Sequence, residues 1–385
     1  MEEAKKGLEN IIALETSISS IDGVKGVLKY RGILVNDLLD MPYDAVSYLL
    51  IRGKLPDKNE LAAYSALLKE RRPAGENVLN VLRTCNFNIE AMDALRTAIS
   101  YMSHCDPDLS DNSEEANLRK AANLVAKFPT IIAAFSRIAI GKEPVPPNPA
   151  LSHGANFLYM LRGSKPTELE AEIMEKDFIL SAEHELNASS FASRITASTL
   201  SDLYSAIITG ICTLKGPLHG GARMAVMDMI DEIAVPEDSE AYVLEKMANN
   251  EKIMGFGHRV YLTQDPRTGI FKKLAKELAE SRGNMKWYET GENIENAIFK
   301  VFTEKTHKPI YPNVDFYSGI VYKYLDIPPR LATAVFAIGR ISGWIAHCME
   351  QYSDNRVIRP RAKYVKAGQP PENEPLLSPK KKIVV

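Results

Sequence analysis

The segment SSFASRITASTLSDLYSAIITGICTL occupies residues 189–214 and indicates the class of fold. Its apolar side chains recur with the spacing of an α-helix. Many of the residues between them are Ala, Ser, Thr or Gly, which suits close packing between helices. The run ends at Lys215-Gly216-Pro217, and such a glycine and proline are typical of a helix C-terminus. We therefore predict one long, closely packed helix here.

Helical periodicity extends on both sides of this segment. The stretch DKNELAAYSALLKERR opens with Asp57 and has Glu60 three positions later, which is the signature of a capping box. The stretch TELEAEIMEKDFILSAEH has the same signature, with Thr167 at its start and Glu170 three positions later. The apolar segment of residues 330–352, RLATAVFAIGRISGWIAHCMEQY, predicts another long helix.

Evidence for strands is limited to one region. Residues 16–33, TSISSIDGVKGVLKYRGI, predict a small hairpin, and no alternation of strands and helices follows it. The proline-rich residues 142–150 predict a loop, and the tail from Lys366 predicts an extended arm. The chain is therefore expected to be mainly α.

Composition and charge exclude several classes of protein. The 385 residues include 45% apolar and 25% charged residues, as in an ordinary soluble protein long enough for two or three domains. The net charge of −2 and a pI near 6.4 give no basic surface for nucleic acid. The start, MEEAKKGLENI, is charged and lacks the apolar region of a signal peptide.

Neither a membrane span nor a disulfide framework is expected. No apolar run approaches the roughly 20 residues that a span needs. The nearest candidate, residues 124–140, is interrupted by Lys127, Pro129 and Arg137. Four cysteines, far apart, suit a reducing compartment: Cys85, Cys105, Cys212 and Cys348. We predict a cytoplasmic protein without membrane or nucleic-acid partners.

Three histidines stand beside helix breakers, at positions 184, 219 and 258. They do not have the spacing of a metal site. The sequence HELNA is not HExxH, because position 188 is Ala, and the three histidines are separated by 35 and 39 residues. We predict no metal.

His219 precedes a predicted helix, GGARMAVMDMIDEI. The positive end of a helix dipole disfavours imidazolium, so a neutral His219 could donate a hydrogen bond to a carbonyl that gains charge. It could equally cap backbone groups of its loop. His258 follows Gly255-Phe256-Gly257, and these glycines would let backbone N–H groups approach a ligand, or simply form a tight turn.

One carboxylate and three arginines complete the candidates. Asp315 could cap the helix that follows it or act as a general base. Arg340 lies among apolar residues, where a charge is costly unless a protein carboxylate or an anionic ligand pairs it. Arg267 and Arg359, taken singly, could be solvated. Together these cations and histidines suit a small polycarboxylate.

At these residues the chain resembles the citrate synthases, including the 2-methylcitrate synthases. The matching segments are HELNASSFASRITASTLSDLYSAI, LKGPLHGGA, MGFGHRVYLTQDPR, PNVDFYSGIVY, FAIGRISGWIAH and NRVIRPRAKY, in that order between residues 184 and 364. The resemblance implies a mainly α, two-domain fold. Residues 1–220 and 328–385 would form the large domain, and residues 221–327 a smaller inserted helical domain, in a homodimer.

The resemblance also implies a role for each candidate. Asp315 would remove a proton from acyl-CoA, His219 would hydrogen-bond the thioester carbonyl, and His258 would give a proton to the ketone of oxaloacetate. Four residues would hold oxaloacetate: His184, Arg267, Arg340 and, from the partner subunit, Arg359. The backbone of Ile253, Met254, Gly255, Phe256 and Gly257 would line the CoA site, with Lys308 a weaker candidate for its phosphates. The CoA thioester is a substrate, and no other cofactor is implied.

The sequence departs from the family pattern at one place. After HGG the family commonly shows Asn-Glu, whereas Ala222 is followed here by Arg223 and Met224. The chain also lacks the extended N-terminal region of the NADH-regulated hexamers, which favours an unregulated dimer. A preference for propionyl-CoA remains open, because one methylene is worth only about 1–3 kcal/mol in an apolar pocket. A catalytically silent binding protein of this fold is a third alternative.

Overall fold

The computed structural model describes residues 5–8, 11–249, 251–306 and 309–364. Within these residues the chain forms fifteen α-helices, one small sheet and a few short 3-10 turns. The helices are α1 Tyr43–Arg52, α2 Lys58–Arg71, α3 Glu76–Arg83, α4 Ala91–His104, α5 Glu114–Ile138, α6 His153–Arg162, α7 Glu168–Ser181, α8 Ala188–Ser198, α9 Leu203–Leu214, α10 Ala222–Glu232, α11 Ser239–Ala248, α12 Pro266–Ser281, α13 Lys286–Thr306, α14 Val314–Tyr324 and α15 Ala332–Ser353. The prediction of a mainly α protein is therefore confirmed.

The segment of residues 189–214 forms two helices, so the prediction of one long helix is wrong. The chain turns between α8 and α9, where Leu200 adopts a left-handed conformation with φ of 61°. Asp202 then begins α9 because its side chain accepts a hydrogen bond from the backbone N–H of Ser205 at 3.0 Å. The expected close packing is confirmed, since the hydroxyls of Thr196 and Thr209 meet between the two helices at 2.9 Å.

The predicted helix starts and the hairpin are present. Asp57 with Glu60 forms a complete capping box at α2, and Thr167 with Glu170 forms one at α7. The antiparallel sheet consists of β1 Ser19–Asp22, β2 Val27–Tyr30 and the short β3 Ile33–Leu34. Residues 142–150 form an irregular loop, as expected. The tail from Lys366 lies outside the described residues.

Helix α15 is the centre of a first group of helices. It packs against α1, α5, α7, α8 and α9, and its Trp344 is fully buried. Pro329–Ser353 is long and apolar enough to cross a membrane by length and composition, the one such segment among the described residues. However, 89% of its apolar window is buried in the molecule, as in the core helix of a globular protein. The nearest candidate expected from the sequence, residues 124–140, lies instead mostly within α5, which continues through Pro129.

Helices α10 to α14 form a second group that packs chiefly on itself. Helix α14 contacts α10, α12 and α13, and α11 lies against α13. A few contacts join this group to the first, through α7 with α12 and α15 with α10. The candidate site lies along this junction, because its residues come from both groups.

The turn of the N-terminal hairpin supports the loop before α12. The carbonyl of Gly23 accepts a hydrogen bond from the N–H of Leu262 at 2.9 Å. A Cβ on Gly23 would lie only 2.2 Å from the carbonyl oxygen of Val260, so a larger residue would push the two segments apart. The hairpin therefore positions the loop that carries His258.

Candidate active site

Six predicted residues meet at the junction of the two helical groups. His184 follows α7, His219 precedes α10, and His258 lies in the loop before α12. Arg267 and Asp315 lie in the first turns of α12 and α14, and Arg340 lies near the middle of α15. The rings of His184 and His258 are 5.3 Å apart. Residues distant in sequence are thus brought to one place.

His258 has a defined protonation pattern. Its Nδ1 accepts hydrogen bonds from the backbone N–H groups of Val260 at 3.0 Å and Tyr261 at 3.1 Å. In the neutral ring the proton therefore lies on Nε2. Burial, and then the Arg267 guanidinium, lower the pKa of His258 to about 4. The ring is neutral at pH 7, with Nε2–H as its donor.

His219 is held by the first turn of α8. Its Nε2 accepts the backbone N–H of Ser189 at 3.3 Å and lies 2.9 Å from the hydroxyl oxygen of the same residue. Nε2 is therefore the acceptor, and Nδ1 carries the proton. Burial, followed by the charges of Arg340 and Arg259, lowers the pKa of His219 to about 4. His219 therefore caps a backbone N–H of α8, and its donation to a reacting carbonyl stays a prediction.

Asp315 is not the cap of its helix. Asn313 performs that function, since its side-chain oxygen accepts the backbone N–H of Asp315 at 3.0 Å. The carboxylate of Asp315 is free of capping and keeps 22% of its side chain exposed. Burial raises its pKa, while Arg223 and then Arg267 oppose that rise. A partly accessible carboxylate with a tuned pKa can act as a general base.

The two buried arginines differ in their partners. Arg267 pairs with Asp265 through Nη2 to Oδ2 at 2.6 Å and Nε to Oδ1 at 3.0 Å. Arg340 donates only to the carbonyl of Ser181 at 2.7 Å and lies over the ring of Phe336. Among the described residues no carboxylate lies within 4 Å of Arg340. Burial lowers its pKa to about 10, so it remains cationic at pH 7 and can pair with an anion.

The glycines before His258 have a packing reason. Gly255 and Gly257 have φ of 86° and 79°, the left-handed region. A Cβ on Gly255 would lie 2.8 Å from Val226 and 2.9 Å from Phe316. The N–H of Gly257 donates to the carbonyl of Tyr311 at 3.0 Å. The N–H of Gly257 therefore has a backbone partner, and the approach of the loop backbone to a ligand stays a prediction.

The chain is similar to known proteins over most of its length. A family model described as "Citrate synthase, C-terminal domain" matches residues 7–361. The chain belongs to the citrate synthase family. Citrate synthase 2 of Bacillus subtilis (strain 168) is 44% identical over 363 residues, which are 94% of this chain and 95% of the relative. The citrate synthase of Haloferax volcanii is 44% identical over 368 residues, 94% and 96% of the two chains.

Solved citrate synthases share the fold. The enzyme from Thermotoga maritima superimposes with a TM-score of 0.83 at 36% identity and covers 99% of both chains. The enzyme from Thermoplasma acidophilum, solved as a ternary complex with carboxymethyl coenzyme A and oxaloacetate, gives a TM-score of 0.89 at 33% identity, over 99% of this chain and 100% of that chain. The predicted family, its helical fold and its class, an acyl-transferring citrate synthase, are confirmed.

One predicted residue of the citrate synthase site is not in this cluster, and the placement of another is not described. Arg359 is exposed in the extended segment after α15 and makes no hydrogen bond or ion pair with another described residue. Lys308 lies outside the described residues. Of the five residues proposed to line the CoA site, Ile253, Gly255 and Phe256 are buried, and Met254 and Gly257 are partly exposed.

The wide spacing of the histidines in the sequence does not exclude a metal site. The fold brings ligand atoms of His184, His258 and Asp265 within 4.8 Å of one another. Both oxygens of Asp265 already accept hydrogen bonds from Arg267, and Nδ1 of His258 accepts from the backbone. These atoms therefore have protein partners, and the absence of a metal in this citrate synthase stays a prediction.

Sequence reasoning missed several residues of the site. The phenol of Tyr261 lies 3.3 Å from Nε2 of His184, and its ring centre lies 4.6 Å from that of His258. Asp265 was visible only as the residue before Pro266, a typical N-cap position. Ser189 carried no signal, because its contact with His219 depends on how α8 approaches α10.

Proposed function

We propose that the site condenses acetyl-CoA with oxaloacetate and water, giving citrate and free coenzyme A. The observation that carries this proposal is the convergence of two neutral histidine donors, one partly exposed carboxylate and two buried arginines at a single junction. The ternary complex of the Thermoplasma enzyme with oxaloacetate and a CoA analogue supports the same substrates for this chain.

Asp315 begins the reaction as the general base. Its carboxylate takes a proton from the methyl carbon of the thioester, and negative charge develops on the thioester oxygen. The Nδ1–H of His219 donates a hydrogen bond to that oxygen. Preorganised donors of this kind contribute roughly 100- to 1,000-fold in rate. Neutral imidazole suits this step, because the pKa near 4 keeps the donor proton in place without a net charge.

His258 acts on the second substrate. The enolate carbon attacks the ketone carbon of oxaloacetate, and a carbon–carbon bond forms. The ketone oxygen takes a proton from Nε2 of His258. Water then adds to the thioester of citryl-CoA, and CoA leaves as a thiol. Asp315 and His258 recover their starting protonation states through solvent as citrate leaves.

The arginines hold the carboxylates of oxaloacetate. Arg340 supplies a guanidinium that has no carboxylate partner among the described residues. Arg267 supplies a second guanidinium, which Asp265 already aligns. His184 lies beside both, with its own ring neutral because burial, and then Arg267, lower its pKa. We propose that Arg359 reaches this site from the partner subunit of a homodimer, which accords with its exposure in its own chain.

We propose that the chain has the two-domain arrangement that its resemblance to the family implies. Residues 1–220 and 328–385 form the large domain and residues 221–327 the small one, supported by the self-packing of α10 to α14. Closure of the small domain would exclude water before the enolate forms. The backbone of residues 253–257 borders CoA, and Lys308 is proposed near its phosphates. The homodimer is proposed to be cytoplasmic.

A second acyl substrate has specific support. A relative from Bacillus subtilis named "Citrate/2-methylcitrate synthase" is 38% identical over 361 residues. We therefore keep propionyl-CoA as the alternative substrate, which would give 2-methylcitrate. The catalytic roles would not change.

The test is oxaloacetate-dependent release of CoA thiol by the purified protein. We expect release with acetyl-CoA and a higher kcat/KM than with propionyl-CoA. Asp315→Ala should lower kcat by roughly 100- to 10,000-fold, which is the usual contribution of a well-placed base. Full activity of this variant would refute the assigned base. Absence of release with either thioester would refute the proposed reaction.

A further inference from the structure

Arg223 is a buried cation beside the proposed base. It is the second residue of α10, and only 1% of its side chain is exposed. Its Nε lies 3.4 Å from Oδ1 of Asp315. Helix α10, which carries Arg223 in its first turn, packs against α14, which carries Asp315 in its first turn. The pair is therefore fixed by two packed helices.

Other groups hold the guanidinium of Arg223 in place. Its Nη1 donates to Oδ1 of the fully buried Asp177 at 3.2 Å and also to the hydroxyl of Tyr322. That hydroxyl in turn donates to Oδ2 of Asp177 at 2.8 Å. The guanidinium carbon lies 4.8 Å from the ring centre of Tyr322 and 5.0 Å from that of Phe336. These contacts leave the side chain little freedom to move.

The remaining nitrogens point to a role beyond packing. Nε and Nη2 of Arg223 are buried and have no hydrogen-bond partner among the described residues. A purely structural arginine is expected to satisfy its buried donors. Here one guanidinium faces two carboxylates, and its unused Nε faces the oxygen of Asp315.

We propose that Arg223 is a positioning residue that keeps the carboxylate of Asp315 ionised and oriented toward the thioester methyl group. This inference rests on the proposed role of Asp315 as the base.

The groups that face Asp315 determine the direction of the effect. Burial raises the pKa of Asp315, and Arg223 is the largest opposing influence, ahead of Arg267. The charged groups around the pair are Arg223 on α10, Arg267 with Asp265 at the start of α12, and Asp177 on α7. On α13, the nearby Glu295 is paired with Tyr317 and Lys272 instead. Removal of Arg223 therefore raises the pKa of Asp315, and the base needs a higher pH to be ionised.

The experiment is the pH profile of kcat for Arg223→Gln in the full-length enzyme, with acetyl-CoA and oxaloacetate saturating. We expect the acid limb to move to higher pH by about one unit or more, so that kcat at a pH below the acid limbs of both proteins falls by about tenfold or more relative to the unsubstituted enzyme. At pH 9 the loss should be less than about threefold, since the base is then ionised in both proteins. The KM for oxaloacetate should be unchanged.

Asp177→Asn is the matched control. It breaks the same buried cluster but keeps the cation, and it removes a negative charge that faces Asp315 through Arg223. Its acid limb should stay or move to lower pH, opposite to Arg223→Gln. Arg223→Lys keeps the charge and should restore part of the original profile. If Arg223→Gln does not fold, the double variant Arg223→Gln/Asp177→Asn removes both buried charges and is expected to show an upward shift no larger than that from the loss of Arg223 alone.

The outcomes separate this inference from the proposed function. An equal loss of kcat at all pH values, or the same shift in Arg223→Gln and Asp177→Asn, would overturn the role of Arg223 while the enzyme assignment stands. Full activity of Asp315→Ala would overturn the base itself, whatever Arg223→Gln does.

Discussion

At the scale of single residues, backbone hydrogen bonds determine which nitrogen of each catalytic candidate carries a proton. Val260 and Tyr261 donate to Nδ1 of His258, and Ser189 donates to Nε2 of His219. Each ring therefore presents the opposite nitrogen as its donor. A backbone N–H cannot be removed by substitution of its side chain, so both tautomers are stable features of the fold.

Buried neutral histidines also make the protein sensitive to acid. His153 lies against the rings of Tyr43 and Phe178, and both of its nitrogens lack a hydrogen-bond partner among the described residues. Burial lowers its pKa to about 3, whereas the unfolded chain titrates near 6.5. Below pH 6.5 the unfolded state therefore binds a proton that the native state does not, and stability falls as the pH is lowered.

We expect His153→Phe to reduce this sensitivity to acid, because the substitution removes one of the protons taken up on unfolding. Relative to the unsubstituted protein it should gain roughly 2 kcal/mol between pH 7.5 and pH 5. Urea denaturation at the two pH values measures the change. His104→Gln, at the exposed end of α4, is the surface control. An identical pH dependence for His153→Phe and the unsubstituted protein would contradict this explanation.

The sequence predicted the identity of the site residues better than their contacts. Asp315 was visible as a cap or a base, but only the position of Asn313 shows that the cap is another residue. The contact of His184 with Tyr261 joins residues 77 positions apart and follows from the packing of α7 against the loop before α12. Such contacts depend on the relative placement of helices, for which periodicity gives no information.

At the scale of the elements, α15 requires small residues where it meets α7. A Cβ added to Gly343 would lie 2.3 Å from the carbonyl oxygen of Ala182 and 2.2 Å from Oε2 of Glu183. The backbone of Ala182 cannot move without displacing the end of α7 and His184 with it. Capping boxes and helical periodicity were readable from local sequence, whereas this close approach between distant segments was not.

Gly343→Ala is therefore expected to destabilise the protein by about 1–3 kcal/mol, the usual cost of overpacking. Gly269→Ala in α12 is the matched control, because it adds the same methyl group to an exposed helical position with nothing within 4 Å. That control should stabilise by up to about 1 kcal/mol through helix propensity. Thermal unfolding of both variants measures the contrast, and equal effects would show that helix propensity outweighs packing at Gly343.

At the scale of the whole molecule, the proposed homodimer completes each site with Arg359 from the partner. A dimer of one Asp315→Ala chain and one Arg359→Ala chain would then contain one site that lacks both residues and one intact site. Random mixing of the two inactive proteins should restore about a quarter of the normal activity, since about half of the dimers are mixed. Coenzyme A release after mixing and re-association measures this recovery.

The control is each variant alone, carried through the same procedure. If Arg359 acted within its own chain, both sites of the mixed dimer would be defective, and activity would not return. A monomer in light scattering, with full activity, would equally contradict a shared site.

A segment near the start of the described chain contacts α15, the last helix that the structure describes. Glu350 near the end of α15 accepts hydrogen bonds from the hydroxyl of Thr16 at 2.8 Å and from the backbone N–H of Ser17 at 2.8 Å. Helix α15, which carries Arg340 and forms the centre of the core, follows all the other described helices in the sequence. During translation the helices that pack around α15 are synthesised before it and lack this central partner until it follows. The chief contacts of α10 to α14 are with one another, so they are all present before α15 is made. Synthesis would thus favour assembly of α10 to α14 before assembly of the helices that precede and follow them in the sequence.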